Sequence, residues 1–225
     1  MIRSDLRGLR LVDRTDFLRQ ICGGRRLLHL GATDAPETAA AIREGRFLHE
    51  QLRQVASSVV GMDNNEAMID FLRQHHGIED IRFGDIEIAE DYPAEAFDLV
   101  VAGEILEHLS NPGRALDALR ARLGPETLLI VTVPNAYSLK GFLRALAGLE
   151  WIHPDHVLHH SLRTLSALLS RHGFAVEQSF GFVNAGAGLA AGLANRLLRL
   201  VPQLAEGVGV VCRPSPGWGG STKPP

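Results

Sequence analysis

Short apolar runs, alternating with amphipathic stretches, constrain the fold of this 225-residue chain more than any other feature. The first five runs are each followed directly by a glycine, an aspartate or a proline, and each is short enough for a buried strand. We predict seven strands, over residues 26–30, 58–62, 81–83, 97–102, 128–133, 174–182 and 208–212. Because strands that alternate with helices favour a parallel sheet, the sequence predicts an α/β fold. We expect a mostly parallel seven-stranded sheet with helices on both faces.

Helices are predicted between the strands from apolar spacing and from capping residues. Apolar residues such as Leu6 and Val12 recur at helical spacing and predict an N-terminal helix over residues 4–20. Asn64 is placed to cap the helix after the second strand, and an Asn-Pro pair at 111–112 is typical of a helix start.

Composition excludes several classes of protein. The formal net charge is −3, and a nucleic-acid partner normally leaves a basic footprint, so no extended nucleic-acid surface is expected. Two cysteines, Cys22 and Cys212, are too few for a disulfide framework. No apolar run approaches the roughly 20 residues of a membrane span, and the N-terminus has no signal-peptide core. We therefore expect a cytoplasmic protein with no transmembrane segment.

Four predicted strand ends carry polar residues or glycine. Gly31 follows the first strand, Asp63 the second, Asp85 the third, and a Gly-Glu pair at 103–104 the fourth. Ligands of open parallel sheets bind beyond the carboxyl ends of the strands. A glycine there allows close approach of the backbone to a ligand, and a carboxylate accepts hydrogen bonds from ribose hydroxyls. These residues predict a ligand site at this edge of the sheet.

The order of these segments resembles the class I S-adenosylmethionine-dependent methyltransferases over about residues 25–180. The segments that carry the resemblance are LHLGATD, VVGMD, GDI, FDLVVAGEILEHLSNP and TVPN. The fourth is similar to that of ubiquinone-biosynthesis, small-molecule and sugar O-methyltransferases. The resemblance implies a Rossmann-like fold, S-adenosylmethionine as cofactor and O-methylation of a small-molecule or sugar hydroxyl.

The resemblance also implies which residues bind the cofactor. Asp63 corresponds to the ribose ligand, and Asp85 to a residue that accepts from the adenine amino group. The full implied set is His29, Gly31, Ala32, Asp34, Asp63, Asn64, Asp85, Ile86, Ala102 and Gly103.

Two positions depart from the family pattern. His29 stands where the family usually has an acid, and Thr33 stands where it has a second glycine. The threonine makes the loop bulkier, and Thr33 or Asp34 is placed to replace lost hydrogen bonds. A nicotinamide-dependent enzyme would require G-x-G-x-x-G after the first strand, and that motif is absent here.

The richest stretch for metal chemistry is Glu104-Ile-Leu-Glu107-His108. In a helical turn Glu104 and Glu107 share a face, and a later ligand can come from segment 151–156. Metal-dependent small-RNA 2′-O-methyltransferases have a similar layout, which implies that Glu104, Glu107, His108 and His156 bind Mg²⁺ or another divalent cation. Such an ion lowers the pKa of the hydroxyl to be methylated.

The same motif also has an interpretation without a metal. Glu107 then shapes the site, and His108 or His156 is the general base, since a neutral imidazole accepts a hydroxyl proton.

The domain organisation follows from the same interpretation. Residues 1–213 form one domain, in which 1–24 are a helical cap, 136–160 and 183–206 face the acceptor, and 214–225 are a disordered tail. Two alternatives to small-molecule methylation remain open: a metal-assisted RNA 2′-O-methyltransferase and a non-catalytic binding protein on the same fold.

Overall fold

The computed structural model describes residue 6, residues 8–184, residue 196 and residues 198–218. Within these residues eight strands form one sheet, in the order β1-β7-β8-β6-β5-β2-β3-β4. The strands are β1 Arg10–Asp13, β2 Arg26–Leu30, β3 Ser58–Asp63, β4 Ile81–Phe83, β5 Leu99–Gly103, β6 Leu128–Pro134, β7 Phe174–Val183 and β8 Gly207–Pro214. β8 runs antiparallel to β6 and β7, and the other pairs are parallel. The predicted α/β fold is confirmed, with one strand more than expected.

Helices cover both faces of the sheet. They are α1 Arg14–Cys22, α2 Thr38–Arg43, α3 Leu48–Arg53, α4 Glu66–His76, α5 Pro112–Arg122, α6 Leu139–Leu146 and α7 Leu162–Arg171. Side chains from alternate positions of the central strands reach opposite faces, as the period of a strand requires. Leu28 and Val100 pack in the cluster that contains Leu116 of α5, whereas Leu27 packs in the cluster that contains Phe17 of α1. The sheet is therefore buried on both sides, which explains the near-continuous apolar runs.

The predicted N-terminal helix over residues 4–20 is wrong over residues 8–13, and residues 4, 5 and 7 lie outside the described residues. Residues Arg10–Asp13 form β1, which pairs in parallel with β7 at the edge of the sheet. The helix α1 begins only at Arg14, where the Asp13 side chain accepts from the Asp16 amide at 3.0 Å. A four-residue strand is too short to differ in period from a helical turn, and its pairing partner lies far along the chain.

The capping predictions had different outcomes. Asn111 caps α5 as predicted, accepting from the Arg114 amide at 3.2 Å. The helix α4 is capped by Asn65 and not by Asn64, since the Asn65 side chain accepts from the Met68 amide at 3.0 Å.

The C-terminal tail is ordered farther than expected. Pro214 belongs to β8, the Ser215 carbonyl accepts from Arg120 at 3.0 Å, and Trp218 lies against Gly173. The predicted disorder is therefore wrong for residues 214–218, and residues 219–225 lie outside the described residues.

The segment 183–206 is described only in part, since residues 185–195 and 197 lie outside the described residues. Among the described helices, none is long and apolar enough to cross a bilayer.

Candidate active-site cleft

A cleft of about 1000 Å³ opens at the carboxyl ends of β2, β3 and β5. Its walls include Gly31 after β2, Asp63 at the end of β3 and Gly103 at the end of β5. Arg14 at the start of α1 lines the same cleft. Ligand pockets commonly measure roughly 300–1,000 Å³, so this one is at the upper end of that range.

Two glycines of the cleft wall lie close to neighbouring side chains. Gly31 has φ +71°, and a Cβ there would lie 2.8 Å from Cδ1 of Ile105. A Cβ on Gly103 would lie 2.6 Å from Nη2 of Arg14. The positive φ of residue 31 favours glycine, whereas a side chain at residue 103 would displace the end of the Arg14 side chain. Both glycines were predicted to bind the cofactor. The adjacent predicted residue, Ala32, is fully buried beside the cleft.

Thr33, one of the two departures from the family pattern, is bonded to Asp63. Its amide and its hydroxyl both donate to Oδ2 of Asp63, each at 2.9 Å. Oδ1 of Asp63 accepts from the Asn65 amide at 3.0 Å. An ionised carboxylate offers about four acceptor sites, so Asp63 retains capacity for one further donor. The threonine thus supplies a hydrogen bond that glycine cannot provide.

His29, the second departure, belongs to a buried polar chain. Its Nδ1 lies 3.2 Å from Nδ1 of His49, and Nε2 of His49 lies 3.3 Å from Oδ1 of Asp80. Burial holds the pKa of His29 well below its ordinary value, and the charges of His49 and Arg14 lower it further. His29 is therefore a neutral hydrogen-bonding group in the cleft wall, where an acid would carry a charge.

The tautomers of this pair follow from Asp80. The Asp80 carboxylate accepts the Nε2 proton of His49, so in the neutral form of His49 the Nδ1 atom has a lone pair. His29 then donates from Nδ1, and its Nε2 carries the lone pair. The sequence did not indicate His49 or Asp80, because neither lies at a strand end.

Arg14 is a second cleft residue that sequence reasoning missed. Its Nη1 lies 3.3 Å from Oε2 of Glu104, and its Nε donates to Oγ1 of Thr132 at 3.2 Å. The guanidinium carbon also lies 5.8 Å from the centre of the Phe182 ring, within the range of a cation–π contact. Only 12% of the Arg14 side chain is exposed. A held guanidinium of this kind recognises a carboxylate.

Two non-glycine residues of the cleft, Asp34 and Glu104, adopt left-handed backbone conformations. Their φ values are 55° and 54°. This region costs a residue with a side chain of order 1–3 kcal/mol, and such residues cluster at functional sites. Glu104 is fixed there by its amide, which donates to the Thr132 carbonyl at 2.8 Å. Both residues line the cleft.

The structure brings together only two of the four residues predicted to bind a metal. Glu104 is paired with Arg14. Glu107 is 1% exposed, and among the described residues neither of its carboxylate oxygens has a hydrogen-bond partner. Burial raises the pKa of Glu107 to about 8, and Glu107 does not belong to the group of side chains whose ligand atoms meet near His108. The metal prediction assumed a helical turn that puts Glu104 and Glu107 on one face. The chain instead forms a short 3₁₀ turn over Leu106–His108.

The other two predicted ligands, His108 and His156, do meet, and His153 joins them. One ring nitrogen from each of the three lies within 4.8 Å of the others. We call these three residues the histidine cluster. Burial, followed by the neighbouring histidines, lowers the pKa of both His108 and His156. His153 lies in the segment 151–156 that the sequence indicated, but only His156 was selected from it.

Three residues predicted to bind the cofactor do not line the cleft. Ile86 and Ala102 are 6% and 3% exposed and pack in the core. The Asp85 carboxylate accepts from the Glu87 amide at 2.9 Å. Asn64 and Asp34, which were also predicted to bind the cofactor, do line the cleft.

The comparisons with known proteins agree with this geometry. A model of the methyltransferase domain family matches residues 24–179. A probable S-adenosylmethionine-dependent methyltransferase of Mycolicibacterium smegmatis is 28% identical over 171 residues, covering 75% of this chain and 59% of that protein. The ubiquinone biosynthesis O-methyltransferase of Hahella chejuensis is 31% identical over 146 residues, covering 62% and 56%. The chain thus spans less than two thirds of the length of these relatives.

Solved structures show the same fold. A putative methyltransferase from Bacillus halodurans superposes with a TM-score of 0.59 at 15% identity, covering 90% of this chain and 99% of that one. Magnesium protoporphyrin IX methyltransferase from Synechocystis, solved with bound S-adenosylhomocysteine, gives 0.55 at 13% identity, covering 89% and 82%. At such identities the likeness concerns the fold alone. Because the family match covers well over half of the chain and the strand-end cleft agrees with it, this chain belongs to the methyltransferase domain family.

Proposed function

We propose that this chain is an S-adenosylmethionine-dependent methyltransferase that methylates a hydroxyl oxygen of a small molecule or sugar. The observation that carries the proposal is the cleft of about 1000 Å³ at the ends of β2, β3 and β5, whose wall includes Gly31 in a left-handed conformation and Gly103. Such a cleft has space for a nucleoside-containing cofactor and for part of an acceptor beside it.

The residues present fit the cofactor at both of its ends. Asp63 keeps an acceptor site for a ribose hydroxyl after its bonds to Thr33 and Asn65. Arg14 and Glu104 present opposite charges to the carboxylate and ammonium groups of the methionine part. His29 adds a neutral acceptor in the same wall. When bound, the cofactor supplies an activated methyl group on its sulfonium.

The protein's own contribution to the transfer is alignment and proton removal. Holding the acceptor oxygen in line with the methyl group supplies most of the rate. The histidine cluster stands at the rim of the cleft, where His108 is a lining residue. A neutral imidazole of His108 or His156 accepts the proton of the acceptor hydroxyl.

The acceptor side is apolar. In the segment 136–160, Phe142, Leu146 and Trp151 are 58%, 69% and 74% exposed, and the segment leads directly to His153 and His156. Asp155 of the same segment lines the cleft, and exposed apolar side chains mark surfaces that bind apolar partners or ligands. We therefore expect an acceptor that combines a hydroxyl with an apolar body.

The experiment is a methyl-transfer assay with labelled S-adenosylmethionine and a panel of phenols, catechols and sugars, with a structured RNA alongside. Transfer to a small hydroxyl compound supports the proposal. Transfer to the RNA alone would mean that the acceptor is RNA and not a small hydroxyl compound. Cofactor binding without transfer to any acceptor would favour the non-catalytic alternative.

A further inference from the structure

The histidine cluster has a donor set that suits a transition metal. It offers three imidazole nitrogens, all within 4.8 Å of one another, and no carboxylate from the described part of the chain belongs to it. Imidazole nitrogen is a ligand of Zn²⁺, Co²⁺ and Ni²⁺, whereas Mg²⁺ prefers oxygen ligands. Since Glu104 and Glu107 are not members, the donor chemistry differs from that of the predicted Glu-Glu-His-His set.

The backbone holds the three ligands in place. The Glu107 carbonyl, next to His108, accepts from the amides of Val157 and Leu158 at 2.9 and 3.2 Å. The turn that carries the other two ligands is closed by the His156 amide, which donates to the His153 carbonyl at 3.0 Å. The two chain segments are therefore fixed to each other immediately beside the ligands. Such preorganisation lowers the cost of assembling a metal site.

The rings of the histidine cluster pack edge to face around His108. The ring centre of His108 lies 4.6 Å from that of His156 and 5.6 Å from that of His153, with interplanar angles of 85° and 73°. Zn–N bonds of about 2.0–2.1 Å place tetrahedral ligand atoms about 3.4 Å apart. Small side-chain rotations therefore complete the site, because all three rings reach solvent.

Asp155 completes the surroundings of the cluster. Its Oδ2 lies 3.9 Å from Nδ1 of His153, and Asp155 and His108 both line the cleft. The hydrogen bond at this nitrogen comes from the Asp155 amide, which donates to Nδ1 of His153 at 3.3 Å, so the backbone of Asp155 helps to hold the His153 ring. The lining position of His108 puts the cluster at the cleft rim.

We propose that His108, His153 and His156 bind a divalent transition metal of the Zn²⁺ class at the rim of the cleft. Three protein ligands leave a fourth position open for water or a substrate oxygen, as in catalytic zinc sites. The role that follows rests on the proposed function: the open position takes the acceptor hydroxyl and lowers its pKa. In the loaded protein the imidazoles act as ligands, and the proton of the metal-bound hydroxyl passes to solvent water at the cleft rim; the base role of His108 or His156 then applies to the metal-free protein.

The test is metal binding by the full chain after treatment with a chelator. Titration with Co²⁺ is followed by visible absorption, and titration with Zn²⁺ by calorimetry. We expect one ion per chain, with Zn²⁺ displacing Co²⁺ and a large excess of Mg²⁺ failing to do so. His153→Ala and His156→Ala should each weaken Zn²⁺ binding by at least about tenfold, as the loss of a direct ligand requires. The matched control His159→Ala removes an exposed neighbouring histidine outside the cluster and should bind Zn²⁺ like wild type.

Binding of S-adenosylhomocysteine, measured on the same samples, separates this inference from the proposed function. Wild-type protein that binds the nucleoside but no transition metal would overturn the inference and leave the function standing. Protein that binds Zn²⁺ through these histidines but no nucleoside would keep the site and overturn its catalytic role. Equal loss of Zn²⁺ binding in His159→Ala would also overturn it, because the ion would then be held by surface histidines in general.

Discussion

Thr33 donates two hydrogen bonds to a single oxygen of Asp63, one from its amide and one from its hydroxyl, both at 2.9 Å. The loop after β2 is thereby joined to the end of β3, at the two positions where the family pattern has a flexible glycine and a ribose ligand. The bond explains how a bulkier residue is accommodated in this loop, and it can be tested directly.

The hydroxyl of Thr33 should contribute to stability. Thr33→Val keeps the shape and removes the donor, so the free energy of unfolding should fall by about 1.5–3 kcal/mol, the range for hydrogen bonds to charged groups. Thr33→Ser keeps the donor and should lose much less. Urea unfolding at pH 7 measures the difference, and equal losses in the two variants would show that the hydroxyl contributes nothing.

Gly31 should tolerate alanine less well than another glycine of the same conformation. Gly31 and Gly24 have φ +71° and +69°, but an added Cβ meets Ile105 at 2.8 Å only at Gly31 and meets nothing within 4 Å at Gly24. Gly24→Ala should therefore cost about 1–2 kcal/mol of unfolding free energy, the price of the left-handed backbone, and Gly31→Ala should cost clearly more. Thermal or urea unfolding of both variants checks this, and equal costs would mean that the contact with Ile105 is relieved without strain.

Arg14 should hold the methionine end of the cofactor. Arg14→Ala should weaken binding of S-adenosylhomocysteine by roughly tenfold to 100-fold, about 1.4–2.7 kcal/mol, because a charge-assisted bond to the carboxylate is lost. Binding of 5′-methylthioadenosine, which has no carboxylate, should remain unchanged. Calorimetry with both ligands gives the comparison, and Arg73→Ala, an exposed residue of α4, serves as the control.

An equal loss of affinity for both ligands in Arg14→Ala would assign Arg14 to the structure of the cleft and not to the carboxylate.

The buried His29 should make the fold sensitive to mild acid. Its folded pKa lies well below the ordinary value because of burial, with His49 and Arg14 as the charged neighbours that lower it further. The unfolded chain takes up a proton near pH 6.5, whereas the folded chain does not. The stability contribution is therefore fully present above about pH 6.5 and is lost as the pH falls below it, by up to about 1.4 kcal/mol per pH unit.

His29→Gln removes this group, so the pH dependence of the unfolding free energy between pH 5 and 7 should be shallower by about one proton than in wild type. Urea unfolding across this range measures both slopes. Identical slopes would mean that His29 is protonated in the folded protein.

The sheet could be predicted because its central strands are buried on both faces. Runs such as 97–102 and 128–133 are apolar at almost every position, and this signal is local to each run. The edge strand β1 could not be predicted in this way, since its pairing with β7 joins residues about 170 positions apart. A short amphipathic segment does not reveal such a partner.

The cofactor side of the site was more predictable than the acceptor side. Gly31, Asp63 and Gly103 follow strands directly, so their place at the sheet edge follows from the strand order. Arg14 directly follows β1 and lines the cleft. Because β1 was not predicted from the sequence, Arg14 was not recognised as a cleft residue. The members of the histidine cluster could not be predicted in this way, because the 3₁₀ turn at Leu106–His108 decides which side chains face His153 and His156. Residue spacing alone does not determine that.

The central claim is that the strand-end cleft binds S-adenosylmethionine. Calorimetric titration with S-adenosylhomocysteine tests it most directly, with wild type, Asp63→Ala and the control Asp70→Ala on the exposed side of α4. We expect one site of micromolar affinity in wild type and in the control, and at least about a tenfold loss in Asp63→Ala, which removes the ribose acceptor. Cooperative urea unfolding of Asp63→Ala shows that the variant is folded. No binding to wild type, or equal binding to folded Asp63→Ala, would contradict the assignment of this cleft.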